Sequence, residues 1–240
     1  MKKSALAAFT LIELLVVITI IAILASFALP AYTAVQERAQ QTKDLSNGKQ
    51  IALALKQFAT DNNGSFPSKS PGTDYAAAAT LAAGGVSNDA FWWLFPTYLQ
   101  SEDIFVVPGS KWCPSGADNR VDAAGAGARV QTLKGGENGF AYVSGLTDTS
   151  NPAFPVVADG FATGSVGTYS ANKAQPGGVW AGKKAVVIFC DASGQIMKCN
   201  ASYQVPRPTG SSSSHYFAGV SDGSWIDSTN NPVLNPEAAP

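Results

Sequence analysis

One carboxylate, Glu13, stands inside the otherwise apolar run "AFTLIELLVV" of residues 8–17. An ionised acid in a lipid bilayer costs roughly 2.5 to 3.5 kcal/mol on insertion scales. If the chain is cut between Ala8 and Phe9, the new amine of Phe9 is close to Glu13 in sequence and can neutralise a carboxylate on a neighbouring copy. Opposite charges about 4 Å apart attract by several kcal/mol even at an effective dielectric constant of ~20. An intermolecular charge pair is therefore one chemical reason to keep Glu13 in this segment.

The apolar stretch around Glu13 predicts a membrane segment. It runs from Ala5 to Leu29, follows Lys2 and Lys3, and exceeds the roughly 20 residues that a helix needs to span a bilayer. Positive residues stay on the cytoplasmic side, so the two lysines predict that the chain after Leu29 lies across the membrane. An ordinary signal peptide and a plain signal anchor are the alternative interpretations. Neither alternative explains the acid.

Catalytic chemistry has few candidate residues in the rest of the chain. The only histidine, His215, stands in "GSSSSHYF", which is typical of a solvated loop. The sequence contains no Walker loop, no G-x-S-x-G pattern and no metal-ligand pair at helical spacing. We therefore expect neither enzyme activity nor a cofactor. Sixteen Lys and Arg against 17 Asp and Glu give a formal net charge of −1, without the basic footprint of a nucleic-acid-binding protein.

A metal ion is a hypothesis for one C-terminal segment, "SDGSWIDSTNN" of residues 221–231. Asp222, Asp227 and Asn230 offer the hard oxygen ligands that calcium prefers. Their spacing matches no EF-hand loop. The segment therefore leaves two interpretations open, an ordinary polar loop and a calcium site.

Disulfide chemistry is available because a domain across the membrane can be oxidised. The segments "VVIFC" and "QIMKC" predict a hairpin in which Cys190 pairs with either Gln195 or Met197. Neither register places Cys190 opposite Cys199, and in the closer one their Cα atoms are roughly 7 to 8 Å apart, at or beyond the reach of a bridge. We expect that any disulfide joins Cys113 to Cys190 or Cys199 and leaves the third thiol free and buried.

A long helix must position these groups. In the part of the helix after Pro30, the spacing i, i+4, i+7 is followed by Ile51, Leu55 and Phe58. This spacing predicts a buried helix face. The charged residues of the same stretch predict a solvent face: Glu37, Arg38, Lys43, Asp44, Lys49 and Lys56.

The ends of this helix are also marked in the sequence. It is expected to run from Phe9 to about Asp61, with a kink or local melting at Pro30, where a backbone hydrogen bond is lost. Asn62, Asn63 and Gly64 suit a left-handed cap. The sequence thus predicts one helix with an apolar half and an amphipathic half.

The remaining chain predicts a loop-rich head with short strands. "FPVVADGF" (154–161) and "KAVVIFCDASGQIMKC" (184–199) are the strand signals, and the second predicts a hairpin. "DAFWWLFPTYL" (89–99) predicts a short apolar helix or turn that packs in the core, with a ligand groove as the alternative. The fold class predicted is α+β with an antiparallel sheet.

The N-terminal sequence "KKSALAAFTLIELLVVITIIAILASFALPAY" resembles the class III leader and helix of type IV prepilins and type II secretion pseudopilins. The resemblance is specific over residues 1–67 and loose beyond. In that family a prepilin peptidase removes the leader and methylates the new amine, and the glutamate pairs with a neighbouring N-terminus; these roles would fall on Phe9 and Glu13. The residue before the cut is normally Gly, so Ala8 is expected to slow processing rather than prevent it. Calcium stabilises some major pseudopilins near their C-termini, which favours the calcium hypothesis above.

This resemblance implies a type IV pilin-like fold with a leader at 1–8, a filament-core helix at 9–29, an amphipathic continuation at 30–61 and an extracytoplasmic head at 62–240. It implies a non-enzymatic subunit of a type II secretion pseudopilus or type IV pilus, anchored in the bacterial inner membrane with its head in the periplasm before assembly. The implied partners are copies of itself or related pilins, prepilin peptidase, the inner-membrane assembly platform and lipid, but no nucleic acid. The alternative is a membrane-anchored periplasmic binding domain that uses the leader only for export; only the filament subunit needs Glu13.

Overall fold

The computed structural model describes residues 10–207, 215–220, 225–227 and 229–240. The chain divides into two compact units, Met1–Thr42 and Lys43–Pro240, so the boundary falls inside the first helix. The architecture is α+β, as predicted. Its elements in chain order are helices α1 (Leu11–Asp61) and α2 (Ser87–Trp92), a 3₁₀ turn (Asp103–Phe105), and strands β1 (Phe140–Val143), β2 (Pro155–Asp159), β3 (Lys184–Phe189), β4 (Gly194–Lys198) and β5 (Val233–Leu234).

Helix α1 has the predicted extent and the predicted end. It continues as an α-helix through Pro30, so local melting is not observed there, while a bend at that residue stays a prediction. At the C-terminal end Asn63 and Gly64 adopt φ values of 52° and 78°. The amide of Gly64 donates to the carbonyl of Ala59 at 2.8 Å, which satisfies a free helix carbonyl as in a Schellman cap.

The last five turns of α1 supply one wall of the head core. Ile51, Leu55 and Phe58 are buried, which confirms the predicted apolar face. The prediction that Asp44 belongs to the solvent face is wrong, because its side chain is fully buried. Asp44 lies seven residues, close to two turns, before Ile51 and therefore on the same side of the helix. Asn47 also lies on this buried face.

Five strands form one sheet in the order β4-β3-β2-β1-β5, and every adjacent pair is antiparallel. The predicted β2 and the predicted β3–β4 hairpin are confirmed. Both hairpin registers proposed above are wrong, since Ile188 pairs with Gly194 and Lys184 with Lys198. The turn comes earlier than the sequence indicated: the Phe189 amide donates to the Ser193 carbonyl at 2.9 Å, which places Cys190 in the turn.

The aromatic segment at 89–99 packs in the core, as predicted. Phe91, Leu94 and Phe95 are buried, and the Phe91 ring centroid lies 5.0 Å from that of Phe105 and 5.1 Å from that of Tyr142 on β1. These contacts join helix α2 to strand β1 of the sheet. Trp92, Trp93 and Tyr98 of the same segment line a cavity of about 240 Å³, so the alternative of a ligand groove stays a prediction.

Candidate functional site

The first turns of α1 expose an unusually apolar surface. Large apolar side chains between Leu11 and Leu29 leave 47 to 81 % of their surface uncovered. By length and composition, α1 is the one helix among the described residues that could cross a membrane. Exposed apolar surface of this extent normally contacts lipid or other protein.

Glu13 is the only charged side chain on this exposed segment, and it is bound to Thr10. Glu13 Oε2 accepts the backbone N–H of Thr10 at 2.8 Å and the Thr10 hydroxyl at 2.6 Å. The Glu13 amide in turn donates to Thr10 Oγ1 at 3.3 Å. These reciprocal bonds form a capping box, with Thr10 at the N-cap and Glu13 three residues later. Within one chain, the carboxylate therefore stabilises the start of the helix.

The capping box was missed by the sequence analysis, although its T-x-x-E pattern is visible at residues 10–13. The sequence predicted a charge pair between Glu13 and a neighbouring molecule instead. The proposed cleavage site, Ala8 and Phe9, lies outside the described residues. The pairing of Glu13 with a neighbouring amine remains a prediction.

The head contains two buried acidic residues, Asp44 of α1 and Asp159 of β2. Asp159 Oδ2 accepts the Trp180 indole N–H and the Val186 amide, each at 2.8 Å. Both carboxylate oxygens of Asp44 lack a hydrogen-bond partner among the described residues. Burial raises the pKa of Asp44 to about 8, with a further contribution from Asp159. Burial also raises the pKa of Asp159 to about 6.

All three cysteines, which belong to the described residues, are free thiols. The disulfide predicted for Cys113 is therefore not formed in the structure. The Cys113 sulfur is held locally, because it donates to the Val107 carbonyl at 3.2 Å and accepts the Val107 amide at 3.3 Å. Cys190 and Cys199 lie at opposite ends of the β3–β4 hairpin, since Cys199 donates its amide to Lys183 while Cys190 is in the turn. The expectation that these two do not pair is consistent with this geometry.

The C-terminal acidic segment is only partly described. Asp222 lies outside the described residues. The Asn230 amide group donates to Asp227 Oδ2 at 2.5 Å, and the Thr229 amide donates to Asp227 Oδ1 at 2.8 Å. Asp227 and Asn230 therefore contact each other, and their local bonds are those of a polar turn. Calcium binding at this segment stays a prediction.

His215 does not lie in a solvated loop as predicted. It is half-buried and forms a β-bridge with Pro206, and its Nδ1 accepts the amide of Phe217 at 3.2 Å. Burial lowers the pKa of the imidazole, and the nearby Arg207 adds to that effect. The residue therefore serves local structure.

Comparisons with known proteins agree with this geometry. Residues 5–29 match the family described as the prokaryotic N-terminal methylation motif. The type II secretion system core protein G of Klebsiella michiganensis is 27 % identical over 139 residues, which cover 58 % of this chain and 89 % of the relative. The protein of the same name from Aeromonas hydrophila is 38 % identical over 83 residues, 35 % of this chain and 57 % of the relative. No solved structure matches the chain significantly.

The methylation motif, the relatives and the α+β fold agree on one class. The chain carries a prepilin-type N-terminal motif and is similar to type II secretion pseudopilins, which supports a type IV pilin-like protein. The apolar N-terminal helix and the similarity to pseudopilins indicate a membrane-anchored protein of the pilin type.

Proposed function

We propose that this protein is a structural, non-enzymatic subunit of a type IV-family filament, assembled through its N-terminal helix. The observation that carries the proposal is the exposed apolar surface of α1 with Glu13 as its only charge. In the bilayer this surface contacts lipid, and in a filament the same surface packs against other copies. The head then lies in the periplasm before assembly, because Lys2 and Lys3 hold the N-terminus in the cytoplasm.

Processing by a prepilin peptidase, with methylation of Phe9, supplies the amine that pairs with Glu13 of a neighbouring subunit. The capping box supports this role, since two hydrogen bonds to Glu13 lower the cost of holding a carboxylate in an apolar setting. An inner-membrane assembly platform extracts the processed subunits. The relation to two type II secretion core proteins G favours a secretion pseudopilus over a surface pilus.

The test separates the charge of Glu13 from its capping role. Glu13→Gln removes the charge but keeps a side-chain oxygen for Thr10, because Gln also completes a capping box. Thr10→Ala removes both hydrogen bonds of the Thr10 hydroxyl and keeps the charge of Glu13, to which the backbone N–H of residue 10 can still donate. Both variants are expressed in cells that carry a prepilin peptidase and the assembly platform, and filaments are sheared, sedimented and quantified. We expect Glu13→Gln to lower filament yield at least about tenfold, the effect of each 1.4 kcal/mol lost, with Thr10→Ala near wild type.

Membrane insertion provides the internal check, because removing an acid from lipid leaves insertion intact or improves it. Equal filament yield from Glu13→Gln and wild type would contradict the charge-pair mechanism. A wild-type protein that keeps to the membrane fraction under conditions in which related subunits assemble would favour the membrane-anchored binding domain instead.

A further inference from the structure

Three carboxylates from distant parts of the head meet in space. One carboxylate oxygen each from Glu102, Asp118 and Glu137 lies within 4.8 Å of the other two. Glu102 directly precedes the 3₁₀ turn, Asp118 lies in the following loop, and Glu137 comes shortly before β1. This spacing matches no motif, so only the folded chain brings the three residues together.

The innermost of these acids, Glu102, has an unsatisfied oxygen. Its side chain is fully buried, and its Oε1 accepts the amide of Leu133 at 2.6 Å. Its Oε2 is sealed from solvent and has no hydrogen-bond partner in the part of the chain that the structure describes. Buried polar atoms in native proteins normally have a partner in protein, ordered water or an ion. This oxygen therefore points to a group that completes its coordination.

The charges around Glu102 identify the sign of that group. Glu137 is also buried, and its Oε2 accepts the amide of Lys134 at 2.7 Å. The ammonium of Lys134 lies 2.8 Å from Asp118 Oδ2, and the charges of Arg120 and Arg129 also act on Asp118 and Glu137. Among the described residues neither Glu102 nor Glu137 forms an ion pair, so two buried carboxyl groups lie close together without a bound cationic side chain. A divalent cation would balance them.

We propose that Glu102, Asp118 and Glu137 bind one divalent cation and that this cation is Ca²⁺. The donor set consists of oxygens alone, which suits Ca²⁺ or Mg²⁺ rather than the metals that favour sulfur and imidazole. Three oxygens within 4.8 Å of one another share a point no more than about 2.8 Å from each, close to the 2.3 to 2.6 Å of calcium ligands. Mg²⁺ requires about 2.0 to 2.1 Å and near-ideal octahedral geometry. Asp118 is exposed and leaves room for water ligands.

The bound ion would tie three points of one long irregular segment together. Residues 106–139, which are described throughout, contain neither a helix nor a strand between the 3₁₀ turn and β1. A ligand that binds only the folded state raises stability by mass action. Calcium would thus fix the loop against which helix α2 packs, where Asn88 already donates to the carbonyl of Leu133 at 2.7 Å.

The experiment uses the full chain in detergent micelles after dialysis against a calcium chelator. Calorimetric titration with CaCl₂ gives the affinity, and thermal unfolding with and without CaCl₂ gives the stabilisation. At about 100 times the dissociation constant we expect the unfolding midpoint to rise by roughly 5 to 10 °C. MgCl₂ at the same concentration should give a smaller rise, and NaCl at matched ionic strength none.

Three variants locate the ion. Asp118→Asn changes an exposed residue and should fold as wild type while weakening Ca²⁺ binding at least about tenfold, and Glu102→Gln should abolish the calcium-dependent rise. Asp227→Asn is the matched control, because Asp227 belongs to the other acidic segment; it should bind Ca²⁺ as wild type. Loss of binding in Asp227→Asn with full binding in Asp118→Asn and Glu102→Gln would overturn the proposal. So would a wild-type protein without calcium-dependent stabilisation at millimolar CaCl₂.

Discussion

Gly48 of helix α1 lies directly against Ile188 of strand β3. A Cβ atom added at Gly48 would come within 2.7 Å of Ile188 Cγ1 and 3.0 Å of its Cδ1. Both residues are buried, and Ile188 has no exposed surface into which its side chain could move. This close approach explains why α1 carries a glycine at this position, although glycine is normally unfavourable by about 1 kcal/mol inside a helix.

We therefore expect Gly48→Ala to destabilise the head even though alanine is the better helix former. The gain in helix propensity is about 1 kcal/mol, and overpacking of a closed core costs about 1 to 3 kcal/mol. A net loss of up to about 2 kcal/mol in the free energy of unfolding should follow, measured by urea denaturation in micelles. Ser46→Ala, on the exposed side of the same helix, should be neutral or slightly stabilising.

The Ile188→Ala background decides whether the contact is the cause. Ile188→Ala alone should cost about 2 to 5 kcal/mol, because it leaves a cavity in the core. In that background the clash is absent, so Gly48→Ala should become neutral or stabilising by up to about 1 kcal/mol. The same loss from Gly48→Ala in both backgrounds would disprove the steric explanation.

The sequence predicted those features that depend on neighbouring residues. The end of α1 at Asn63 and Gly64, the buried stripe through Ile51 and Leu55, and the β3–β4 hairpin all follow from local chemistry or periodicity. Strand β1 and the two-residue strand β5 were not predicted, because the position of a short strand depends on pairing with residues far away in the chain.

Predictions that depended on long-range packing were the ones that failed. Asp44 is charged and was placed on the solvent face, yet the sheet covers that side of the helix. The hairpin register is an exception with a local cause, because Asp191 accepts the amide of Ser193 at 2.8 Å and a turn begins earlier than predicted. The cluster of Glu102, Asp118 and Glu137 has no signature in sequence at all, since an irregular loop brings its members together.

Asp44 should make the stability of the head fall as pH rises. Its folded-state pKa, about 8, lies above the 3.8 of an ordinary aspartate because the carboxyl is buried. The native state therefore binds a proton that the unfolded chain releases, so the contribution is fully present below pH 4 and lost as the pH rises toward the folded pKa. The free energy of unfolding should fall by about 1.4 kcal/mol per pH unit between about pH 5 and 7 from this residue.

Asp44→Asn should flatten this dependence, because the amide does not titrate. The part that remains should come from Asp159 and Glu102, since burial raises the pKa of Asp159 to about 6 and that of Glu102 to about 7. Asp191→Asn is the matched control: this exposed turn carboxylate has a lowered pKa owing to its hydrogen bond with Ser193, so its replacement leaves the falling slope unchanged. An unchanged slope in Asp44→Asn would show that Asp44 is ionised in the native state.

Processing at Ala8 should yield a mature chain that begins at methylated Phe9. Loss of the leader removes Lys2 and Lys3, so the formal side-chain balance becomes 14 − 17 = −3 against −1 for the full sequence. Intact mass and N-terminal sequencing of membrane-extracted protein measure both changes. Ala8→Gly should raise the rate of leader removal and leave the product identical. A mature N-terminus near Leu29 would instead indicate an ordinary signal peptide.

The three cysteines should react slowly in the native state. Burial raises the pKa of the Cys113 thiol to about 11 and those of Cys190 and Cys199 to about 12, so little thiolate exists near neutral pH. Iodoacetamide at about pH 8 should label all three thiols in urea and modify none quickly without it. Cys199, which is half-buried at the far end of the hairpin, should be the first to react.

Non-reducing peptide mapping tests the pairing of the cysteines: a Cys190 to Cys199 crosslink would require a hairpin register other than the one that pairs Ile188 with Gly194.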